Sequence, residues 1–210
     1  MKSLFASTSP LMRFLTMAAN LMILNLIWIA CSVPIVTIGA STTALYTVIN
    51  VFLQDGIDNA DVIKPFFRCF RKDFLKSEAL FAITLVITLV AAANAFAAQH
   101  LSRVVGVLAL IPLLVILIAI NYVFPLHAKF ENSCMNTIKN AVLLGLLNFP
   151  RSILLICINL MPLIILVLSE SLFWHTFIFW LLIGFALSAY FSTKTVSPIF
   201  KQLVEKTGSE

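Results

Sequence analysis

Five long stretches of this 210-residue chain contain no Asp, Glu, Lys or Arg, and no other feature constrains its fold as strongly. They are residues 14–54, 79–102, 104–128, 152–169 and 171–193, which together hold 131 of the 210 residues. A helix that crosses a bilayer needs about 20 predominantly apolar residues, so four stretches each suffice for one crossing and the first suffices for two. Because 61% of residues are hydrophobic and only 11% are charged, a water-soluble globular domain is excluded.

These stretches predict an all-α fold, a polytopic bundle of six transmembrane helices that forms a single domain over residues 1–210. The predicted spans are about 14–31, 40–54, 79–98, 104–126, 152–168 and 173–193.

The first stretch is interrupted between residues 32 and 39, where Pro34 disfavours helix at the residue before it and Gly39 permits unusual backbone angles. We therefore predict a hairpin of two antiparallel helices with Pro34 and Gly39 as structural residues of its tip. The hydroxyls of Thr37, Ser41 and Thr42 are candidate caps for the second helix. That helix is short for a full crossing, so the tip either thins the bilayer locally or lies below its outer surface.

The basic residues predict the orientation. With six spans, 13 of the 14 Lys and Arg residues fall on one side of the membrane, and Arg103 alone falls on the other. Positively charged loops stay in the cytoplasm, so we predict that both termini are cytoplasmic. The basic charge is then explained by topology and by attraction to anionic membrane lipid, and it requires no nucleic-acid partner.

A predicted amphipathic helix over about residues 64–76 follows the second span. From Pro65 onward, phenylalanines recur every four residues on one face and basic residues recur on an adjoining face. This pattern favours a lipid-surface anchor, and a docking surface for a cytosolic partner is the alternative. The candidate residues are Lys64, Phe66, Arg68, Phe70, Arg71, Lys72, Phe74 and Lys76.

A second amphipathic helix is predicted over about residues 131–148, after the fourth span. Its candidate lipid-binding or partner-binding residues are Phe130, Glu131, Asn132 and Lys139. The first two helical hairpins thus each end in an amphipathic helix on the predicted cytoplasmic side, which suggests a repeated plan of hairpin plus helix.

The chain lacks the patterns that accompany most membrane chemistry. No carboxylate, Lys or Arg lies mid-span, which weighs against a pump or an ion-coupled carrier but does not exclude a passive pore. No metal-binding histidine spacing, Cys-x-x-Cys, phosphate-binding glycine loop or nucleophile elbow is present, so we predict no metal, no cofactor and no enzymatic activity. Neutral polar residues inside the spans, such as Asn25, Asn121 and Asn159, are predicted to join helices.

Three motifs resemble one bacterial family. Residues 25–28 (Asn-Leu-Ile-Trp) and 31–46, from Cys-Ser-Val-Pro to Ala-Leu-Tyr, resemble the N-terminal hairpin of the YesL-like membrane proteins. The Phe-rich basic helix at 66–74 and the stretch 124–141 are also similar to that family. The likeness covers nearly the whole chain, although beyond Arg151 it extends to hydropathy only.

The resemblance implies a context and no catalytic residues. The family is a domain of unknown function, found mainly in Gram-positive bacteria and often encoded beside carbohydrate ABC importers. It implies a multi-pass protein of the plasma membrane that acts as an accessory or assembly subunit, with permease or ATPase subunits as partners. The alternatives are a transport subunit or permease and a membrane-embedded sensor or regulator. The chain lacks the Glu-Ala-Ala loop of binding-protein-dependent permeases, which weighs against the permease alternative. Oligomeric state and substrate stay open.

Overall fold

The computed structural model describes residues 10–55 and 61–207, which contain helices, short connections and no β-strand. This confirms the predicted all-α fold. The helices are α1 (Pro10–Ser32), α2 (Ile38–Asp55), α3 (Ile63–Lys72), α4 (Phe74–Gln99), α5 (Arg103–Lys129), α6 (Cys134–Leu147), α7 (Phe149–Leu168), α8 (Glu170–Phe179) and α9 (Phe185–Thr207). A 3-10 turn (Ile35–Thr37) joins α1 to α2, and a π-helical turn (Trp180–Gly184) joins α8 to α9.

Six helical stretches are long and apolar enough to cross a membrane, as predicted. They are Leu11–Ser32, Ile35–Gln54, Phe74–Gln99, Arg103–Lys129, Phe149–Leu168 and Glu170–Glu205. Each contains one of the predicted spans. The last stretch is continuous because α8, the π-helical turn and α9 follow one another without a break.

The second helix, α2, is the central element of the fold. In the 18-residue apolar window taken from this part of the chain, 61% of residues are buried inside the protein. In none of the windows from the other five stretches does this share exceed 22%. Small buried residues at Ala40, Ser41 and Ala44 let neighbouring helices approach closely. Around α2 pack α1, α3, α4, α5 and α9, so this helix organises one hydrophobic cluster in which Ile49 and Phe52 are buried.

A second cluster lies where α4, α5, α6, α7 and α9 meet. It includes Leu80, Tyr122, Leu155 and Phe200, all of which are almost completely buried. Gly145 marks the crossing of α6 and α5, because a Cβ atom at this position would overlap the side chain of Ile118.

Buried asparagines join the helices through hydrogen bonds, as their position inside the spans predicted. The Asn25 amide donates to the carbonyl oxygens of Trp180 (3.1 Å) and Leu181 (2.7 Å), and its oxygen accepts from the Ala186 N–H (2.8 Å). Asn25 therefore engages backbone groups in and just after the π-helical turn. A second contact joins three helices, since Asn159 donates to Asn121 (2.8 Å) and to the Ser192 hydroxyl (3.1 Å).

Both predicted amphipathic segments have different boundaries in the structure. The segment predicted at 64–76 is divided at Asp73, which has φ −108° and ψ 19°, so Phe74 and Lys76 belong to α4. The segment predicted at 131–148 becomes helical only at Cys134. The Ser133 side chain accepts a hydrogen bond from the Asn136 N–H (3.4 Å) and caps the helix there.

The tip of the first hairpin corrects two expectations. Gly39 lies inside α2 with helical backbone, and it is required by close packing, because a Cβ atom there would overlap the backbone carbonyl of Ser77. None of the predicted hydroxyl caps accepts a hydrogen bond from an N–H in the first turn of α2 among the described residues, and the Ser41 hydroxyl donates to the Ile38 carbonyl oxygen (3.1 Å). Instead the Ala40 N–H donates to the Glu78 carboxylate at 2.6 Å, since α4 brings this side chain to the first turn of α2.

Candidate functional site

The two segments singled out in the sequence meet at an ion pair. Lys72, the last residue of α3, lies 3.0 Å from the Glu131 carboxylate, which follows α5. The two residues are 59 positions apart in the chain. The folding back of α4 and α5 as a hairpin brings together the connection between α3 and α4 and the connection between α5 and α6.

A cavity of about 530 Å³ lies at this meeting point, and we call its lining the junction site. Three basic and two acidic side chains line it, together with a histidine, an asparagine and apolar groups. The lining residues are Arg71, Lys72, Asp73, Phe74, Leu75, Lys76, His127, Phe130, Glu131 and Asn132. The site thus contains seven of the candidate residues predicted from the sequence, together with Asp73, Leu75 and His127, which were not among the candidates.

Electrostatics favour the charged forms of both partners in the ion pair. The hydrogen bond and charge of Glu131 raise the pKa of Lys72 above its usual value. In turn the hydrogen bond from Lys72, followed by the charges of Lys72 and Lys76, lowers the pKa of Glu131. Both side chains are exposed, so the pair is open to competition from a charged partner.

His127 is the polar group of the junction site that the protein leaves unsatisfied. Both of its ring nitrogens are buried, and neither has a hydrogen-bond partner among the residues that the structure describes. Buried polar groups are normally hydrogen-bonded, so this ring can donate or accept a hydrogen bond when the cavity is occupied. The sequence signal for His127 was weak, because it has no second histidine or carboxylate at a recognisable spacing.

The basic face of α3 continues the junction site outward. Lys64, Arg68 and Arg71 are all exposed, and the Lys64 ammonium lies 3.5 Å from the Asp61 carboxylate. Neither Arg68 nor Arg71 forms an ion pair with another residue in the described parts of the chain. Phe67 is 39% exposed on the same helix, so the face combines positive charge with one accessible aromatic ring.

The phenylalanine face of α3 packs on the protein, which corrects the expectation of a lipid contact for Phe66. This side chain is 0% exposed and lies in the cluster organised by α2. Phe70 is half-buried against the same cluster, with its ring 6.4 Å from that of Phe66 and 5.7 Å from that of Phe74. The predicted pattern of apolar and basic faces is present, but α2 covers the apolar face.

The remaining candidates lie on either side of Phe130. The Phe130 ring contacts the Phe200 ring edge to face at 5.4 Å, and Asn132 is half-buried beside it. Lys139 is exposed on α6 and does not line the junction site. A second cavity of about 550 Å³, with a more apolar lining, separates α6 from the end of α9. Its lining residues are Leu126, Phe130, Asn132, Asn140, Leu143, Leu144, Leu203 and Val204.

Metal-binding potential is low in the described chain. Within residues 10–55 and 61–207, no three His, Cys, Asp or Glu side chains come close enough to share a metal ion. The four cysteines are not joined in disulfides: Cys31, Cys69 and Cys134 are half-buried, and Cys157 is exposed.

Comparison with known families identifies the first part of the chain. The sequence model of a protein family of unknown function, DUF624, matches residues 21–95. The match covers about a third of the chain and shows a similarity to DUF624 over those residues. YesL-like proteins are members of DUF624, so the match confirms the resemblance carried by the motifs at residues 25–46 and 66–74, whereas the stretch 124–141 lies beyond it. No curated protein and no solved structure matches the chain.

The DUF624 region supplies one half of the junction site. It covers most of α1, all of α2 and α3, and α4 as far as residue 95. Arg71, Lys72 and Lys76 therefore lie inside the DUF624 match, whereas His127 and Glu131 lie beyond it.

Proposed function

We propose that this chain is a non-catalytic accessory subunit of a bacterial carbohydrate uptake system, and that its junction site and the basic face of α3 bind a partner subunit. The observation that carries the proposal is the Lys72–Glu131 pair, which joins two exposed charged segments into one continuous surface. The uptake system comes from the family resemblance, in which importer genes are neighbours. We expect the partner, a permease or ATPase subunit, to present an acidic segment to Arg68 and Arg71.

The distribution of polar groups supports a binding role. Inside the spans, Asn121, Asn159 and Ser192 bond to one another, so these side chains serve helix packing. Glu78, which borders a charge-free stretch, is engaged by the Ala40 N–H. Accessible charged groups of both signs lie on α3 and around the junction site, where a partner or a lipid head group can reach them.

Co-purification tests the proposal. The tagged chain is extracted gently from its native membrane, and associated permease and ATPase subunits are identified by mass spectrometry. We expect the double variant R68E/R71E to recover these subunits at least tenfold less well than the unmodified chain. The matched control is R103E/K194E, which changes the net charge equally at two exposed residues outside the surface. Failure of the unmodified chain to recover any importer subunit would overturn the accessory role.

Two further outcomes test the binding surface on α3 and the accessory role separately. Equal recovery by R68E/R71E and the unmodified chain would show that the basic face of α3 does not bind the partner. Solute uptake into sealed vesicles that contain this protein alone, above a protein-free control, would replace the accessory role with that of a transport subunit. The accessory role predicts no such uptake.

A further inference from the structure

The first turn of α2 lies beside the first turns of α4. Gly39 packs against the backbone of Ser77, and the Ala40 N–H donates to Glu78 at 2.6 Å. Phe81, one turn further along α4, also closely approaches Gly39. Because α4 continues from Phe81 to Gln99, about 27 Å of this helix extends beyond the contact at 1.5 Å per residue.

This contact is incompatible with a first hairpin that crosses the whole bilayer. If α1 crosses fully, α2 begins on the far side, whereas α4 begins on the near side, after α3. The first turns of α2 and α4 would then be separated by about 30 Å, the thickness of the hydrocarbon core. The near side is fixed by the Lys72–Glu131 pair and by the Cys134 thiol, which lies 3.8 Å from the Lys76 carbonyl oxygen.

The opposite flank of the tip also stops short of the far side. Val33 borders a cavity of about 380 Å³ together with Phe173 and Phe177. These two residues lie one and two turns into α8 from its capping residue, Ser169. Beside neither α4 nor α8 does the tip therefore reach the far-side end of the helix that it contacts.

The tip is apolar and uncovered. Val33, Ile35 and Val36 are 74%, 69% and 73% exposed on the protein surface, and residues 14–54 contain no charged side chain. A cluster of exposed aliphatic side chains at the end of a hairpin is unfavourable in water and favourable in hydrocarbon.

Several polar groups of the tip pair within the hairpin, which reduces the cost of placing them in hydrocarbon. Pro34 has no N–H, and its carbonyl oxygen accepts from both the N–H and the hydroxyl of Thr37, at 2.7 Å each. The Thr37 hydroxyl also lies within hydrogen-bond distance of the Cys31 carbonyl. Ser32 and Ser41 pair through their hydroxyls at 2.7 Å across the hairpin.

We propose that α1 and α2 form a re-entrant hairpin whose tip, residues 33–36, ends among lipid acyl chains inside the bilayer. All six apolar helices are long enough to cross, but length alone does not decide the depth of a tip. The hairpin enters and leaves on one side, so the predicted sidedness of α3 and of the later loops is unchanged. The complete crossings are then made by α4, α5, α7 and the continuous helix α8–α9.

Cysteine labelling in native membranes tests the depth of the tip. The four native cysteines are replaced by alanine, and Val36→Cys is introduced at the tip. The matched control is Leu101→Cys, because Leu101 is 78% exposed in the connection between α4 and α5 at the far end of both helices. We expect a membrane-impermeant maleimide to label Leu101→Cys from one side and to label Val36→Cys from neither side until the protein is denatured.

A nitroxide attached at the same two positions measures depth directly. At Val36→Cys we expect at least fivefold greater relaxation by dissolved oxygen, which concentrates in hydrocarbon, than by a water-soluble nickel complex, with the reverse preference at Leu101→Cys. Labelling of Val36→Cys from the far side at a rate near that of Leu101→Cys would overturn the re-entrant hairpin. Labelling from the near side, with preference for the nickel complex, would place the tip in a water-filled cavity and overturn the lipid contact.

Discussion

The Ala40 N–H in the first turn of α2 donates to the Glu78 carboxylate of α4 at 2.6 Å, across 38 positions of the chain. A carboxylate at a helix N-terminus both accepts an otherwise unpaired N–H and complements the positive end of the helix dipole. Together with the packing of Gly39 against Ser77, this bond holds the starts of α2 and α4 at one level.

Replacing Glu78 with alanine is expected to lower the free energy of unfolding by about 1 kcal/mol, the usual cost of a lost N-terminal cap. The change leaves the Ala40 N–H without its acceptor. Reversible unfolding by dodecyl sulfate in mixed micelles measures the effect. Glu205→Ala serves as the control, because this substitution removes the same side chain at an exposed position near the end of α9. Equal stability of the two variants would contradict the capping role.

Alanine at Gly39 should be more damaging than its small size suggests. The added methyl group would overlap the Ser77 carbonyl and approach the Cβ atom of Phe81, and backbone cannot move aside as a flexible side chain can. We expect a loss of about 1–3 kcal/mol, typical of overpacking. Val36→Ala, at an exposed position three residues away, should unfold in detergent like the unmodified protein. A fully stable Gly39→Ala variant would show that α2 and α4 can separate there.

Asn25→Leu tests the contact with the π-helical turn while keeping the branched shape and the number of side-chain heavy atoms. The substitution removes the donor for two carbonyl oxygens and the acceptor for the Ala186 N–H, so we expect a loss of about 2–3 kcal/mol. Asn94→Leu is the matched control, because Asn94 is exposed on α4. Thermal unfolding in one detergent compares the two. A loss no greater than that of Asn94→Leu would mean that the π-helical turn does not depend on Asn25.

The ion pair at the junction site predicts a linked titration. Lys72→Gln removes the main cause of the lowered pKa of Glu131, so this pKa should rise toward its ordinary value. Carbon NMR of labelled glutamate in micelles follows the titration. Lys64→Gln should leave the Glu131 titration unchanged, because Lys64 pairs with Asp61. An unchanged Glu131 pKa in Lys72→Gln would show that the pair does not persist in solution.

The same pair contributes to stability in a defined pH window. The stabilisation that comes from Glu131 is fully present above the pKa that this carboxyl has in the unfolded chain. It is lost as the pH falls through the lower pKa that the carboxyl has in the folded protein. The pKa of Lys72 is raised in the folded protein, so the stabilisation that comes from Lys72 is fully present below the pKa of this lysine in the unfolded chain. It is lost as the pH rises through the higher pKa of the folded protein. Between the two ranges the stabilisation should not vary with pH.

The candidate site shows which structural features a residue pattern predicts and which it does not. The four-residue spacing of Phe66, Phe70 and Phe74 correctly predicted an apolar face beside a basic one, because helical periodicity is a local property. It did not predict that α2 covers Phe66, since burial depends on which helix packs there. Neither did it predict the break at Asp73, where the backbone departs from helical angles.

The sequence by itself determined the number of apolar helices and the grouping of basic residues, because hydrocarbon accepts only long, charge-free helices and this requirement applies to each segment separately. Tertiary structure decided how those helices combine. Only the folded chain pairs Lys72 with Glu131 and brings Glu78 to α2. The depth of the first hairpin follows from the same cause, because contacts between residues distant in sequence fix the level of its tip, and hydropathy carries no information about them.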